Sequence, residues 1–82
     1  MEKQSAPLSQ RASDVLEVLK KQGAMTMPEL YKALPSYNAG DCDIDFGVAE
    51  LYKLDLVFAN GKRFSYETSS MDIVWQAKES ST

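Results

Sequence analysis

Residues 41–61 read DCDIDFGVAELYKLDLVFANG, and the fold follows from how this stretch is punctuated. Ile44, Val48 and Leu51 recur at the spacing of one helical face, with Leu54 a candidate fourth member. Asp45, Phe46, Ala49, Tyr52 and Lys53 fall outside that face or on its flank. The pattern predicts a helix that starts near Asp41 or Asp43 and runs to about Leu54. Carboxylates crowd its first turn, where capping and the helix dipole favour each by roughly a few tenths of a kcal/mol. Leu56-Val57-Phe58-Ala59 is apolar and β-prone, and Asn60-Gly61 is the preferred pair for a type I′ turn. Lys62-Arg63-Phe64-Ser65-Tyr66-Glu67 is therefore expected to return as a second strand, pairing Ala59 with Lys62 and Val57 with Phe64.

Upstream, residues 1–8 are polar with one proline and read as a flexible arm. From Ser9, the residues Ala12, Val15, Leu16 and Leu19 fall on one helical face, Lys20 and Lys21 complement the dipole of the last turn, and Gly23 can end the helix in a left-handed conformation. Met25-Thr26-Met27-Pro28-Glu29-Leu30 then reads as a helix start. Thr26 and Glu29 are spaced for a capping box, Met25 can staple onto Leu30, and Pro28 stands in the first turn, where its missing amide hydrogen costs little. Leu30, Ala33 and Leu34 give a short apolar face before Pro35 stops this second helix. Ala24 and Met25 form a very short strand between the two. Residues 35–40, PSYNAG, are turn formers.

The tail SSMDIVWQAKESST reads two ways. Ser69 and Asp72 are spaced for a capping box and Met71, Val74, Trp75 and Lys78 share a helical face, while Ile73-Val74-Trp75 equally suits a strand. The helix is the favoured reading. Trp75 is most simply a core cover, and an aromatic near a chain end is also a candidate dimer contact. The domain is thus expected over residues 9–68, with 69–82 as a C-terminal extension.

Eighty-two residues make one domain with a small core, burying roughly 60% of the unfolded chain's surface or a little more. No apolar run approaches the ~20 residues needed to cross a bilayer, and MEKQSAPLSQ lacks the apolar stretch of a signal peptide. A cytoplasmic protein without membrane partners is expected, nucleoid-associated if it binds DNA. The lone Cys42 has no disulfide partner within the chain, and the absence of histidine removes the commonest general base and the usual zinc sites. Cys42 reads as a buried or half-buried structural thiol. Asp41-x-Asp43-x-Asp45 is similar to the start of a calcium loop, but Gly47 stands at the seventh loop position instead of the sixth, and Tyr52 occupies the twelfth. With no phosphate-cradling loop, nucleophile–base pair or metal-ligand cluster, the expectation is no catalytic residue, no metal, no cofactor and no enzyme.

Net charge is −3, and it is unevenly placed. Residues 1–34 carry five Lys/Arg against four Asp/Glu, residues 35–55 one against five, and residues 56–82 three against three. The excess of negative charge lies on and around the third helix.

Helix, short strand, helix, turn, helix, hairpin is an order that resembles the winged helix-turn-helix superfamily. Val48 to Val57 looks like the end of a recognition helix passing into the wing, Asn60-Gly61-Lys62-Arg63 like the wing tip, and Phe64-Ser65-Tyr66 like its return strand. Thr26-Met27-Pro28-Glu29-Leu30 resembles the opening of the second helix. The resemblance covers about residues 9–67 and implies an α+β, mainly α fold: a three-helix winged helix with a β-hairpin wing, followed by the short extra helix. The turn at residues 35–40 is longer than the three or four residues usual in a helix-turn-helix.

The resemblance implies a small DNA-binding protein, a transcriptional regulator acting as a dimer or with a partner on double-stranded DNA. Tyr52 and Lys53 on the third helix, with Lys62 and Arg63 on the wing, are then the contacts, and Asp45 and Ala49 share the helix face. Duplex DNA is held largely by cations that displace its counterions, and Asp41, Asp43, Asp45 and Glu50 oppose this. Outside that helix the available cations are Lys3, Arg11, Lys20, Lys21, Lys32, Lys62 and Arg63. The alternative is a protein-interaction module in which Asp41, Asp43, Asp45, Phe46 and Glu50 meet a basic protein surface, competing with nucleic acid for it. The plainest reading is that the carboxylates cap the helix and Phe46 packs under the loop.

Overall fold

In the computed structural model, which describes residues 8–66 and 68–78, the chain is α+β: three helices and a three-stranded antiparallel sheet. The order is α1 (Gln10–Gln22), β1 (Met25–Thr26), α2 (Met27–Ala33), a short 3-10 helix (Ala39–Asp41), α3 (Asp43–Lys53), β2 (Val57–Ser65) and β3 (Ser70–Ala77). One core joins them: Ala12, Val15 and Leu19 from α1, Leu30 from α2, Ile44, Val48 and Leu51 from α3, and Met25, Val57 and Ala77 from the strands. The arm expected over residues 1–8 lies outside the described residues except for Leu8, which packs against this core.

The helix ends follow the local chemistry. The Ser9 hydroxyl accepts from the Ala12 amide at 3.3 Å, and Gly23, at φ 89°, donates its amide to the Leu19 carbonyl at 2.9 Å. The Glu29 carboxylate accepts from the Thr26 amide at 3.0 Å, which makes one half of the expected capping box; the buried Thr26 hydroxyl has no hydrogen-bond partner among the described residues. The end of α3 departs from expectation. Leu54 is 52% exposed rather than part of the core: the helix stops at Lys53, and the chain turns away just beyond it. Asp55 takes the left-handed conformation at φ 64°; its amide donates to the Tyr52 carbonyl at 3.0 Å, and the Leu56 amide reaches back to the Leu51 carbonyl at 2.9 Å. This is a Schellman motif with aspartate at the position glycine usually fills. It swings Leu56, not Leu54, against the core. Cys42 is also corrected: it is exposed, at the left-handed joint (φ 58°) between the 3-10 helix and α3, one turn-edge before the buried positions begin at Ile44.

The largest correction concerns Asn60-Gly61. A type I′ turn needs positive φ at both central residues, and only Gly61, at φ 79°, has it. Residues 57–65 form one strand. Val57, Phe58 and Ala59 pair with Ala77, Gln76 and Trp75, and Lys62 to Ser65 pair with Ile73 to Ser70. Asn60 and Gly61 together stand opposite Val74, a two-against-one bulge with the glycine supplying the left-handed residue. Neither the Ala59–Lys62 nor the Val57–Phe64 pairing exists. The reversal comes later, between Ser65 and Ser70, with Ser69 at φ 53°.

The partner of β2 is the segment expected to be helical. Ser70–Ala77 is a strand, and it is the middle of the sheet, in the order β1-β3-β2, with Met25 and Thr26 facing Trp75 and Val74 on its other side. Two waiting edges and the β-branched pair Ile73-Val74 outweigh a weak helical pattern. Residues 69–82 are therefore not an appendage: their described part completes the fold.

Candidate interaction surface

The acidic residues of α3 are mostly turned to holding the helices together. Asp43 Oδ1 lies 3.2 Å from Arg11 Nη1, and the same guanidinium sits 5.0 Å from the centre of the Phe46 ring. Phe46 is exposed beneath that arginine and does not pack under the loop. Asp45 accepts from the Tyr31 hydroxyl at 2.9 Å, and the same hydroxyl oxygen accepts from the Ile44 and Asp45 amides at 3.2 and 3.4 Å, so Tyr31 of α2 caps the first turn of α3. Burial, then the hydrogen bond to Asp45, pushes the Tyr31 phenol above its ordinary pKa. Glu50 accepts from the Ser9 hydroxyl at 2.7 Å and the Ser9 amide at 3.0 Å, capping α1 from across the core. Those two bonds hold its carboxyl below the ordinary glutamate value. Of the expected protein-contact set, Asp43 and Phe46 are brought together by Arg11, Asp45 and Glu50 are engaged elsewhere, and exposed Asp41 makes no such tie among the described residues.

The four expected DNA contacts divide. Arg63 is not at a tip. It leans from β2 onto the start of α2, with Nη2 2.6 Å from Glu29 Oε1 and 3.4 Å from the Ala24 carbonyl. Tyr52, Lys53 and Lys62 do face outward. Tyr52 and Trp75 pack edge-to-face with 5.8 Å between ring centres, and Trp75 is half-buried against the core.

A surface absent from the sequence reading is the distal half of the β2–β3 hairpin. Paired residues of an antiparallel ladder point to the same side, and side chains alternate along each strand. The register Lys62–Ile73 and Phe64–Met71 thus puts Lys62, Phe64, Met71, Ile73 and Trp75 on one face. Tyr66 joins them, its ring 4.9 Å from that of Phe64 in an edge-to-face contact. Phe64 is 48%, Tyr66 88%, Met71 56% and Ile73 41% exposed, so this is an uncovered apolar stripe. At its inner end lies an open cavity of about 360 Å3, lined by Met27, Lys62, Met71, Asp72, Ile73 and Trp75. A larger cavity of about 590 Å3 lies beside it against α2, between Met27, Pro28, Tyr31, Ala39 and Asp72. The signal for the stripe is in the sequence: Lys62, Phe64, Tyr66 and Met71, Ile73, Trp75 each recur with period two. It stayed hidden behind the helical reading of the tail and the misplaced turn.

No family model, curated protein or solved structure matches this chain. Among the described residues, no helix is long and apolar enough to cross a membrane.

Proposed function

We propose that this chain is a non-enzymatic winged-helix module that binds a protein through the distal face of its β2–β3 hairpin. The winged-helix reading is supported by the order α1-β1-α2-α3-β2-β3 and the sheet order β1-β3-β2. The observation that carries the function is the exposed stripe Phe64, Tyr66, Met71 and Ile73. Contiguous apolar surface on a projecting element marks a protein contact, and aromatic residues are the side chains that contribute most at such sites. The acidic surface of α3 is a weaker candidate, because Asp43, Asp45 and Glu50 are engaged with Arg11, Tyr31 and Ser9.

A regulator that binds double-stranded DNA is the second reading, and one observation favours it. With its carboxylates drawn into bonds between helices, α3 presents Tyr52 and Lys53 outward, alongside Lys62 of the hairpin. The supply of cations weighs against it, since Arg63 is held by Glu29 and Arg11 by Asp43. Two lysines neutralising two phosphates give a slope of about −1.8 in log affinity against log salt. A titration on mixed-sequence duplex between roughly 50 and 200 mM salt separates the readings. The protein-binding account predicts weak or undetectable binding with a slope no steeper than about −2. Tight binding with a slope beyond about −4, reduced in the Lys53→Ala, Lys62→Ala double variant, would overturn it.

A further inference from the structure

We infer that the partner of the hairpin face is a second copy of this chain, docked through a reciprocal tyrosine-in-cavity contact. The inference rests on the protein-binding reading above and names the occupant. Its ground is self-complementarity. At one end of the stripe stands a knob, Tyr66, at 88% exposure. At the other end of the same face is the open cavity of about 360 Å3 between Met27, Lys62, Met71, Asp72, Ile73 and Trp75. Phe64 lies between the two, and its strand partner Met71 forms the near wall of the cavity. Tyr66 and Lys62 are four residues apart along the chain, or about 13 Å in extended backbone. A two-fold axis lying in the interface and crossing the strands at Phe64 therefore carries each Tyr66 onto the cavity of the other copy. This is the arrangement an isologous interface requires: where one residue contacts a second, the second contacts the first.

The chemistry of the cavity suits the knob. Its apolar wall of Met27, Met71, Ile73 and Trp75 receives the ring, and the Lys62 ammonium can lie over the ring face. Lys62 is the one charge that the register puts on this face among the described residues, while the excess negative charge of the chain lies in residues 35–55. Two copies facing each other through the hairpin thus bring no like-charged cluster together.

The area is sufficient for a weak dimer. An aromatic side chain presents about 150–250 Å2. The exposed parts of Phe64, Tyr66, Met71 and Ile73 then come to on the order of 500 Å2 per copy, and about 1,000 Å2 for the pair, the lower bound for a specific interface. At that size a weak, reversible association is expected.

Sedimentation equilibrium of the full chain across about 1 µM to 1 mM tests this, with circular dichroism confirming that each variant is folded. A reversible monomer–dimer equilibrium is expected, weakened at least tenfold by Tyr66→Ala, which removes the knob, and by Ile73→Lys, which blocks the cavity. An equimolar mixture of the two variants should associate more tightly than either alone, because the mixed pair keeps one intact knob and one open cavity. A chain that stays monomeric throughout, or a dimer that Tyr66→Ala leaves unchanged, overturns the inference. A monomer with a shallow salt slope on duplex DNA removes only the second copy as partner. A monomer with the steep slope removes the protein-binding reading as well.

Discussion

Gly47→Leu is expected to destabilise the domain by about 3 kcal/mol or more, lowering the melting temperature by roughly 12–24 °C. Gly47 is the point where α3 touches α1. A Cβ built there would stand 3.2 Å from both the carbonyl carbon and the oxygen of Arg11, and 3.3 Å from the Ala12 amide nitrogen. These are backbone atoms of a helix and cannot rotate away. Alanine would gain about 0.8–1.0 kcal/mol of helix propensity against a displacement of a few tenths of an ångström, so its effect should be small. Leucine has no such escape. Forcing the helices apart also strains the Arg11–Asp43 ion pair and the bonds from Ser9 to Glu50 that cross the same interface. Thermal unfolding followed by circular dichroism gives the answer, and a Gly47→Leu melting point within about 4 °C of the parent would mean that α1 and α3 do not approach this closely.

The second large effect distinguishes two leucines three residues apart. Leu51 is fully buried at the centre of the core, and Leu51→Ala should cost about 2–5 kcal/mol. For a domain of this size the whole stability is of the order of 5–15 kcal/mol, so the variant will be marginal at room temperature. Leu54, on the same helical spacing, is half exposed, and Leu54→Ala should change stability by less than about 0.5 kcal/mol. Urea unfolding of both variants checks the contrast. Equal losses would place Leu54 in the core and contradict the Schellman end at Asp55.

That pair also shows where the fold was legible in the sequence and where it was not. Ser9, Gly23, Thr26 and Glu29 act through local backbone chemistry, and they stand where their spacing placed them. Ile44, Val48 and Leu51 follow from helical period alone. Asp55 was opaque because a left-handed aspartate is uncommon and depends on its surroundings. Here Lys78 closes the joint, donating its amide to the Leu56 carbonyl at 2.9 Å and its ammonium to Asp55 at 2.6 Å. Asn60-Gly61 carried a real signal, positive φ at a glycine, that serves a turn and a bulge alike. Which of the two forms depends on a strand ten residues later. The tail depends on distance still more, since Ser70–Ala77 pairs with both β1 and β2 and neither edge is visible in a local window.

The candidate site shared that fate. The outward positions of Tyr52, Lys53 and Lys62 were readable, but the capture of Arg63 by Glu29, 34 residues away, was not. Nor were the ties from α3 to Arg11, Tyr31 and Ser9, which turn its acidic face largely into structural bonds. The apolar stripe became visible only once the strand register was known.

The binding face depends on that register, because Phe64, Tyr66, Met71 and Ile73 share it only if β2 runs unbroken to Ser65 and pairs with β3. The most direct test is the set of cross-strand proton contacts seen by nuclear Overhauser spectroscopy on the chain in solution. Contacts of Ala59 with Trp75, Lys62 with Ile73 and Phe64 with Met71 are expected. Contacts of Ala59 with Lys62 and of Val57 with Phe64 would instead show a hairpin turning at Asn60-Gly61. They would dissolve the stripe, the tyrosine-in-cavity pairing and the proposed binding face together.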